Sequence, residues 1–468
     1  MPYHLDTTKT EVKKTALYLT IACWLLTVAA CTSEALDPTP VPDGRDVAVG
    51  FNSYVMKPMR SGATGAMTGE KLQATAFGVF CYYTGSTAWS SASVAPNFMY
   101  NQQVTWNGTQ WTYTPVKYWP NDNATADSQG ATGSQAHSYL SFFAYAPYVA
   151  TASGETGITA MTTNATTGAP KLTYAPADSP VPSEQVDLLW GVAASDSYGA
   201  IADQSASTAG LPLTDLTKPT TSTTVDFNFL HATSRLKLQV QGVFDEGTPG
   251  NNDIDGETRI LVNSISVTAG TNKGVLNLQN TVANVAAWES TAGIALKTFT
   301  LNNSGTLMNA EIRNHTAIGT YLATASNFDL LPAGVTKTAK NAFADDDYAY
   351  LFIPTTTSGG RTNTMDVRIQ YDVITRDPAL VRNTPAGFSI VHNDITRTVT
   401  LPGDTKFDPN KLYKLNILLG MTSVKFDLTV TDWTDSGSTT TISLPENAAM
   451  LKPQGGSNAT ITKIQIIP

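Results

Sequence analysis

The sequence predicts an all-β protein of two domains, and three observations lead to this prediction. Charged residues make up only 14% of the 468 residues, whereas Thr, Ser, Asn and Gly are abundant, as is typical of strands and turns. Short apolar or alternating runs recur with turn residues between them, and few stretches have a helical period. The chain is also longer than one hydrophobic core usually serves, so two tandem β-sandwiches are expected.

The charge, the histidines and the cysteines exclude several classes of function. A formal net charge of −9 disfavours nucleic acid and anionic membrane surfaces as partners, because both require clustered Lys and Arg. The five histidines show no ligand spacing, so neither a metal nor another cofactor is predicted. Three cysteines give no disulfide framework, and Cys81 is interpreted as a small buried apolar residue.

The N-terminus has the features of an export signal. The apolar run ALYLTIACWLLTVAA is short for a membrane span and matches the central region of a secretory signal peptide. Its end, VAAC, resembles a bacterial lipobox, in which cleavage before Cys31 is coupled to lipidation of its thiol. We therefore predict a lipoprotein signal peptide over residues 1–30 and anchoring through Cys31, with an ordinary signal peptide as the alternative.

A tether and a first strand follow the leader. Residues 31–45 are rich in Pro, Asp and Gly and are predicted to be extended and accessible. Asp46–Pro58 has the pattern of a strand, and the turn that begins at Arg60 is a candidate site for trypsin-like cleavage, with Arg45 as the alternative. The competing interpretation is that Arg45 and Arg60 are ordinary exposed arginines and not sites of specific cleavage.

Residues 46–215 are predicted to form an N-terminal β-sandwich. Strand patterns include GVFCYY and SYLSFFAYAPY, and an Asn-Gly pair between VTW and TQWTYTP predicts a two-residue hairpin turn. Trp106 and Trp111 belong to an aromatic-rich stretch. Such aromatics usually form core or cross-strand pairs, and a surface on which sugars stack is the alternative interpretation of these two residues.

A second β-sandwich is predicted for residues 216–445, after a Ser/Thr/Pro-rich break. Residues 446–468 are a C-terminal extension that ends on ATITKIQIIP. In a strand, Ile464 and Ile466 would share one face, while Ile461 and Ile467 would share the other. This terminal strand can complete its own sheet or add to another molecule as a donor strand, and both possibilities remain open.

No local pattern predicts catalysis. The run Asn251–Gly256 begins like a calcium loop, but Val262 stands at its twelfth position in place of the bidentate Glu, so a polar turn is predicted. Asp345–Asp347 is interpreted as a solvated loop, and no nucleophile-elbow, phosphate-loop or zinc-protease motif is present. A glycan hydrolase with two distant carboxylates leaves no local signature, and it is kept as a lesser alternative.

Eight motifs follow one another along the chain: the lipobox at Cys31, GFNSYVMKPMR before a Ser-Gly-Ala turn, TYTPVKYWP, LSFFAYAP, DLLWG, FNFLHATSRLKLQV, FDPNKLYKLNILLG and VTDWTD. In this succession they resemble the fimbrillins of Bacteroidales, the lipoprotein precursors of type V pili. The resemblance covers nearly the whole chain in the family's order.

This resemblance implies two tandem transthyretin-like Greek-key domains and export as an outer-membrane lipoprotein that later reaches the cell surface. An arginine-specific or trypsin-like protease would remove the first strand, and a strand from another pilin subunit would fill the groove that this opens. The resemblance favours Arg60 as the cleavage site, because a cut there frees both the strand and the lipid. The expected function is that of a non-enzymatic pilus subunit; a tip-type adhesin that binds host protein or glycan is the alternative.

Overall fold

The computed structural model describes residues 47–55, 69–120, 138–194, 208–218, 224–244, 254, 256–289, 294–315, 325–354, 363–376, 388–401, 406–421, 424–432, 439–442, 459–460 and 464–465. Within these ranges nearly all regular structure is strand, which confirms the all-β prediction. No helix in the described ranges is long and apolar enough to cross a membrane.

The first half of the chain holds β1 and the strands that surround it. The elements are β1 (Gly50–Val55), α1 (Gly69–Thr75), β2 (Phe77–Gly85), β3 (Met99–Trp106), β4 (Trp111–Thr112), β5 (Tyr139–Ala146), β6 (Gly157–Met161), β7 (Lys171–Ala175), β8 (Leu189–Ala193), β9 (Leu213–Leu216) and β10 (Thr224–His231). Short 3₁₀ turns lie at Trp89–Ser91 and Pro182–Glu184.

The second half contains longer strands. They are β11 (Ser234–Gly242), β12 (Thr258–Thr271), β13 (Gly274–Asn277), β14 (Ala287–Glu289), β15 (Leu296–Asn302), β16 (Lys340–Asn341), β17 (Tyr350–Phe352), β18 (Thr364–Arg376), β19 (Phe388–Thr400), β20 (Lys411–Leu419), β21 (Val424–Asp432), β22 (Thr439–Ile442), β23 (Ala459–Thr460) and β24 (Ile464–Gln465). A 3₁₀ turn spans Ala325–Leu330.

The described strands form four sheets. Sheet 1 has the order β1-β10-β8-β5-β2-β3-β4, with β9 paired to β5. Sheet 2 has the order β14-β13-β7-β6. Sheet 3 has the order β16-β11-β20-β21-β22, with β17 on β11, and sheet 4 has the order β15-β12-β18-β19-β23, with β24 on β19.

The central strands of sheet 1, β2, β5 and β8, are buried on both faces. In β2, Phe77 and Cys81 pack into one core, whereas Phe80 and Tyr82 pack into another that includes residues of sheet 2. This explains the continuous apolar run of β2, because a strand covered on both sides needs apolar residues at every position. The prediction that Cys81 is a buried apolar residue is confirmed, and burial raises the pKa of its thiol.

Sheets 3 and 4 enclose a separate core between them, as a β-sandwich does. Here β11 and β20 alternate buried with half-buried positions, because only one face of their sheet meets that core. The core includes Leu236, Leu238 and Val240 of β11, which alternate with polar residues in the sequence as is typical of a strand with one buried face.

Two sheets cross the proposed division at residue 215. β10 follows that position in the chain, yet it pairs with β8 in sheet 1. The hairpin β13–β14 likewise joins β7 in sheet 2. A division drawn from the sheets would therefore fall after His231 and would leave β13–β14 with the first half. The boundaries 46–215 and 216–445 stay a prediction about where independently folding units meet, as does the transthyretin-like arrangement.

Candidate functional site

The first strand is held through its backbone along both edges. From Gly50 to Val55, β1 runs parallel to β10, with Phe51 opposite Val225. Residues 47–49 run antiparallel to residues 117–119 on the other side: the N–H of Val49 donates to the carbonyl oxygen of Lys117 at 2.9 Å. The N–H of Trp119 donates in turn to the carbonyl oxygen of Val47 at 2.8 Å.

Phe51 occupies the centre of an aromatic cluster. Its side chain is 3% exposed, and its ring centroid lies 5.3 Å from Tyr113, 6.1 Å from Phe142 and 6.2 Å from both Phe77 and Phe227. These partners come from the region after β4 and from β5, β2 and β10, so the walls around Phe51 are built by other segments. We call this surrounding set the Phe51 pocket.

A single tyrosine hydroxyl links the first strand to the segment beside it. The Tyr113 hydroxyl lies 2.8 Å from the carbonyl oxygen of Val49 and 3.3 Å from that of Lys117. Because a hydroxyl has one proton, the shorter contact to Val49 is the better donor geometry. The hydroxyl also accepts from the N–H of Lys117 at 3.2 Å. Burial raises the pKa of Tyr113 to about 12, so this proton is retained at neutral pH.

The other face of β1 carries a polar contact. Asn52 lies opposite Asp226 of β10 in the parallel register. The Asn52 amide donates to the Thr224 hydroxyl at 3.4 Å, and both side chains lie close enough to the Asp226 carboxyl group to favour its charged form. Asp226 is 5% exposed, and burial raises its pKa above the usual value for an aspartate.

The first strand thus presents an apolar face to the Phe51 pocket, a polar face to Asp226 and a backbone ladder to β10. Each of these interactions is non-covalent, and each can be reproduced by any extended segment with the same pattern of side chains.

Trp106 and Trp111 face each other across the β3–β4 hairpin. Their ring centroids are 5.5 Å apart, and Trp111 also lies 4.8 Å from Phe77. Trp111 is 8% exposed, and Trp106 is half-buried against the same core. The packing of Trp111 leaves it no open face on which a sugar could stack, which favours the core interpretation for that residue.

The turn of this hairpin lies one residue later than the sequence suggests. The N–H of Asn107 donates to the carbonyl oxygen of Gln110 at 3.1 Å, so Gly108 and Thr109 form the tip. The side-chain oxygen of Asn107 accepts from the N–H groups of Thr109 and Gln110. The expected Asn-Gly tip is therefore wrong by one position, because Asn107 uses its side chain to fix the turn rather than lying at its corner.

The described part of the C-terminal extension pairs with its own chain. Ala459–Thr460 and Ile464–Gln465 run antiparallel to β19, with Thr460 opposite Asp394 and Ile464 opposite Val391. In the structure these residues therefore pair with their own chain and not with another molecule. The other three candidate donor residues, Ile461, Ile466 and Ile467, lie outside the described residues.

Three more predicted sites also lie outside the described residues: Cys31, Arg45 and Arg60. The same is true of most of the calcium-like run Asn251–Gly256. Asp345–Asp347 forms an exposed turn, as predicted, in which the N–H of Asp347 donates to the side chain of Asp345 at 2.8 Å. In the described ranges no group of three or more His, Cys, Asp or Glu side chains could hold a metal ion.

Sequence reasoning missed the two residues that hold the first strand most specifically. Tyr113 lies in the same aromatic-rich stretch as Trp106 and Trp111, and no local pattern reveals that its hydroxyl reaches Val49, 64 residues earlier. Asp226 stands between two apolar residues in VDFNF, a pattern that ordinarily places a polar side chain in solvent.

No family model matches the sequence. A curated relative, the fimbrium subunit Fim1C of Phocaeicola vulgatus, is 26% identical over 423 residues, which cover 88% of this chain and 94% of that protein. A crystal structure of a fimbrial protein from Bacteroides vulgatus matches 83% of this chain and 100% of its own, with a TM-score of 0.52 and 22% sequence identity.

Proposed function

We propose that this chain, which is related to the Bacteroidales fimbrial subunits, is a structural subunit of a cell-surface fimbrium. The observation that carries the proposal is the match to a fimbrium subunit along 88% of this chain and 94% of the relative. A match that spans both proteins supports a common role better than a match to a single module would. The partners would then be other pilin subunits, and the location would be the cell surface.

The setting of the first strand supports assembly by strand exchange. Val49 and Phe51 are 2% and 3% exposed, and burying side chains of this kind contributes about 1.5–3 kcal/mol each. Removal of β1 would uncover the Phe51 pocket and the edge of β10 together. An exposed apolar groove beside an unpaired strand edge favours capture of another strand.

Cleavage after Arg60 would free the strand. Arg60 follows β1 in the chain, so a trypsin-like or arginine-specific protease acting there would detach residues up to 60, including the lipid. A cut after Arg45 would release the lipid and leave the strand in place, and it is the alternative. In this scheme β1 fills the groove until the protease acts, which would keep the precursor from assembling early.

Cys31 would attach the precursor to the outer membrane. Acyl chains contribute about 0.8 kcal/mol per buried methylene, so more than one chain on a single cysteine gives stable anchoring without a spanning helix. The precursor would thereby be held at the membrane until the protease releases it.

The segment 460–467 is the candidate donor strand. In this proposal it leaves β19 of its own chain and enters the groove of the next subunit. Its isoleucines alternate on both faces, which suits a strand enclosed within a sheet that is buried on both sides. Adhesion to host protein or glycan would be a property of the assembled fimbrium, and the packing of Trp111 gives no support to a sugar site there.

The test is to treat purified precursor with trypsin and to follow both cleavage and polymer formation. Mass spectrometry should show loss of the residues that precede Ser61, and electrophoresis in mild detergent should show a ladder of oligomers. Arg60→Gln should prevent the ladder, whereas the matched control Arg45→Gln should leave it intact. Loss of the residues that precede Ser61 without any ladder would overturn assembly by strand exchange.

A further inference from the structure

Asp226 is a buried carboxylic acid on the strand next to β1. Its neighbours Val225 and Phe227 belong to the same core as Phe51, so Asp226 lies on the opposite face of β10. The residue is 5% exposed, and its Oδ1 atom has no hydrogen-bond partner among the described residues. A carboxyl group in this position depends strongly on the few partners that it has.

The polar side chains beside Asp226 come from two strands. Thr224 belongs to β10 itself, whereas Asn52 belongs to β1. The amide nitrogen of Asn52 also lies 3.4 Å from the hydroxyl oxygen of Thr224. If β1 leaves, Asp226 keeps Thr224 and loses Asn52.

An incoming strand must then satisfy Asp226 again. Water can reach the carboxyl group while the groove is empty, but a strand that fills the groove would exclude that water. A side chain without a hydrogen-bond donor would leave the carboxyl group buried and short of a partner, and a site built to hydrogen-bond its ligand rejects such an analogue strongly.

We infer that Asp226 selects the strand that fills the groove, by requiring a hydrogen-bond-donating side chain at the position of Asn52, next to an apolar side chain at the position of Phe51. The inference rests on the proposed function for the identity of the incoming strand. The requirement itself follows from the burial of Asp226 and from its contact with β1.

The occupant to which we commit is the C-terminal strand of a second copy of this chain. Ile464 is flanked by Lys463 and Gln465, and both flanking side chains donate hydrogen bonds. With Ile464 in the Phe51 pocket, Gln465 meets Asp226 if the strand runs as β1 does, and Lys463 meets it if the strand runs the other way. The ammonium group of Lys463 would in addition complement the carboxylate charge.

The first experiment measures the contact in the intact precursor, independently of cleavage and assembly. Hydrogen exchange of residues 50–55 is followed by mass spectrometry in the wild type, Asn52→Leu, Asp226→Leu and the double variant. We expect Asn52→Leu to lower the protection about ten-fold when Asp226 is present, and to leave it unchanged or raise it in the Asp226→Leu background. Equal effects of Asn52→Leu in both backgrounds would overturn the inference.

A second substitution at the same position is available in case the first variant misfolds. If Asp226→Leu does not fold, Asp226→Asn replaces it, because the amide keeps the shape and one acceptor oxygen while removing the charge. In the Asp226→Asn background, Asn52→Leu should then lower the protection of residues 50–55 much less than it does when Asp226 is present. An undiminished loss would count against selection by the carboxyl group.

The second experiment tests the occupant. Lys463→Leu, Gln465→Leu and the double variant are treated with trypsin, and the rate of ladder formation is compared with that of the wild type. One of the single variants should assemble about ten-fold more slowly, and the Asp226→Leu background should abolish the difference. If the wild type forms ladders and all three variants match its rate, the inference is overturned. If the wild type forms none, the proposed function fails, and the hydrogen-exchange result stands separately.

Discussion

The hydroxyl of Tyr113 donates a 2.8 Å hydrogen bond to the carbonyl oxygen of Val49. The two residues are not neighbours in sheet 1, since Val49 precedes β1 and Tyr113 follows β4. Their contact ties the residues just before β1 to the segment after β4, beside the pocket that β2, β5 and β10 help to build around Phe51. The position of the first strand therefore depends on the Tyr113 side chain as well as on backbone hydrogen bonds.

Tyr113→Phe should loosen the first strand without disturbing the ring packing around Phe51. Loss of one buried hydrogen bond weakens a contact by about 1 kcal/mol, so exchange of residues 47–51 should accelerate about five-fold. Hydrogen exchange with mass spectrometry measures this directly. Tyr100→Phe is the matched control, because its hydroxyl also donates to a carbonyl oxygen, that of Thr162 at 2.9 Å, away from β1. Equal acceleration of 47–51 in both variants would contradict the assigned role of Tyr113.

Phe51→Ala should destabilise the precursor and leave the stability of the cleaved subunit unchanged. Truncating a buried phenylalanine typically lowers the free energy of unfolding by about 3–5 kcal/mol. Cleavage after Arg60 would remove residue 51, so assembled polymers of the variant and the wild type should melt alike. Thermal unfolding before and after trypsin treatment distinguishes the two forms. Phe77→Ala serves as the control, because Phe77 stays in the subunit and its loss should destabilise both.

Gly78→Ala should destabilise sheet 1 because the position has no room for a methyl group. A Cβ atom built at Gly78 would lie 2.9 Å from the side-chain oxygen of Asn101 and closer still to the ring of Tyr145, whose hydroxyl donates to Asn101 at 2.6 Å. Overpacking of this kind costs about 1–3 kcal/mol. Urea unfolding measures the change. Gly69→Ala, where nothing lies within 4 Å of the added carbon, should leave stability nearly unchanged.

The β18–β19 pair should show an acid dependence that arises from Asp394. Hydrogen bonds from the Arg368 guanidinium, at 2.8 Å and 2.5 Å, hold the pKa of Asp394 below its usual value of 3.8. A lowered pKa means that the contribution to stability is present above about pH 4 and is lost as the pH falls through the folded-state pKa. Asp394→Asn should therefore differ most from the wild type near neutral pH and least in acid.

Urea unfolding at a series of pH values checks this prediction. The matched control is Asp427→Asn, which alters an exposed carboxylate on β21. A gap between wild type and Asp394→Asn that stays constant from pH 7 to below the usual aspartate pKa would contradict the role of the ion pair.

The strands themselves could be predicted from local pattern. The alternation around Leu236 and Leu238 and the unbroken apolar run of β2 depend on side chains a few residues apart, and burial follows from them directly. The position of Trp111 in the core was likewise the ordinary expectation for an aromatic on a strand. The one-residue error at the hairpin tip arose where a side chain competed for the backbone, which composition alone does not reveal.

Local sequence patterns were enough to predict the strand content, the apolar faces, the export-like leader and the succession of motifs that resembles the fimbrillins. The pairing of the strands depended on the folded chain: β1 joined β10, whose Thr224 lies 172 residues beyond Asn52, and β13 joined β7 across the expected boundary. The physical reason is that periodicity is a property of neighbouring residues, whereas pairing is a competition among distant edges that depends on chain closure and on the packing of the whole core. Asp226 shows the difference most clearly: its place between Val225 and Phe227 in the sequence does not reveal its burial, which arises because distant segments of the chain cover its strand.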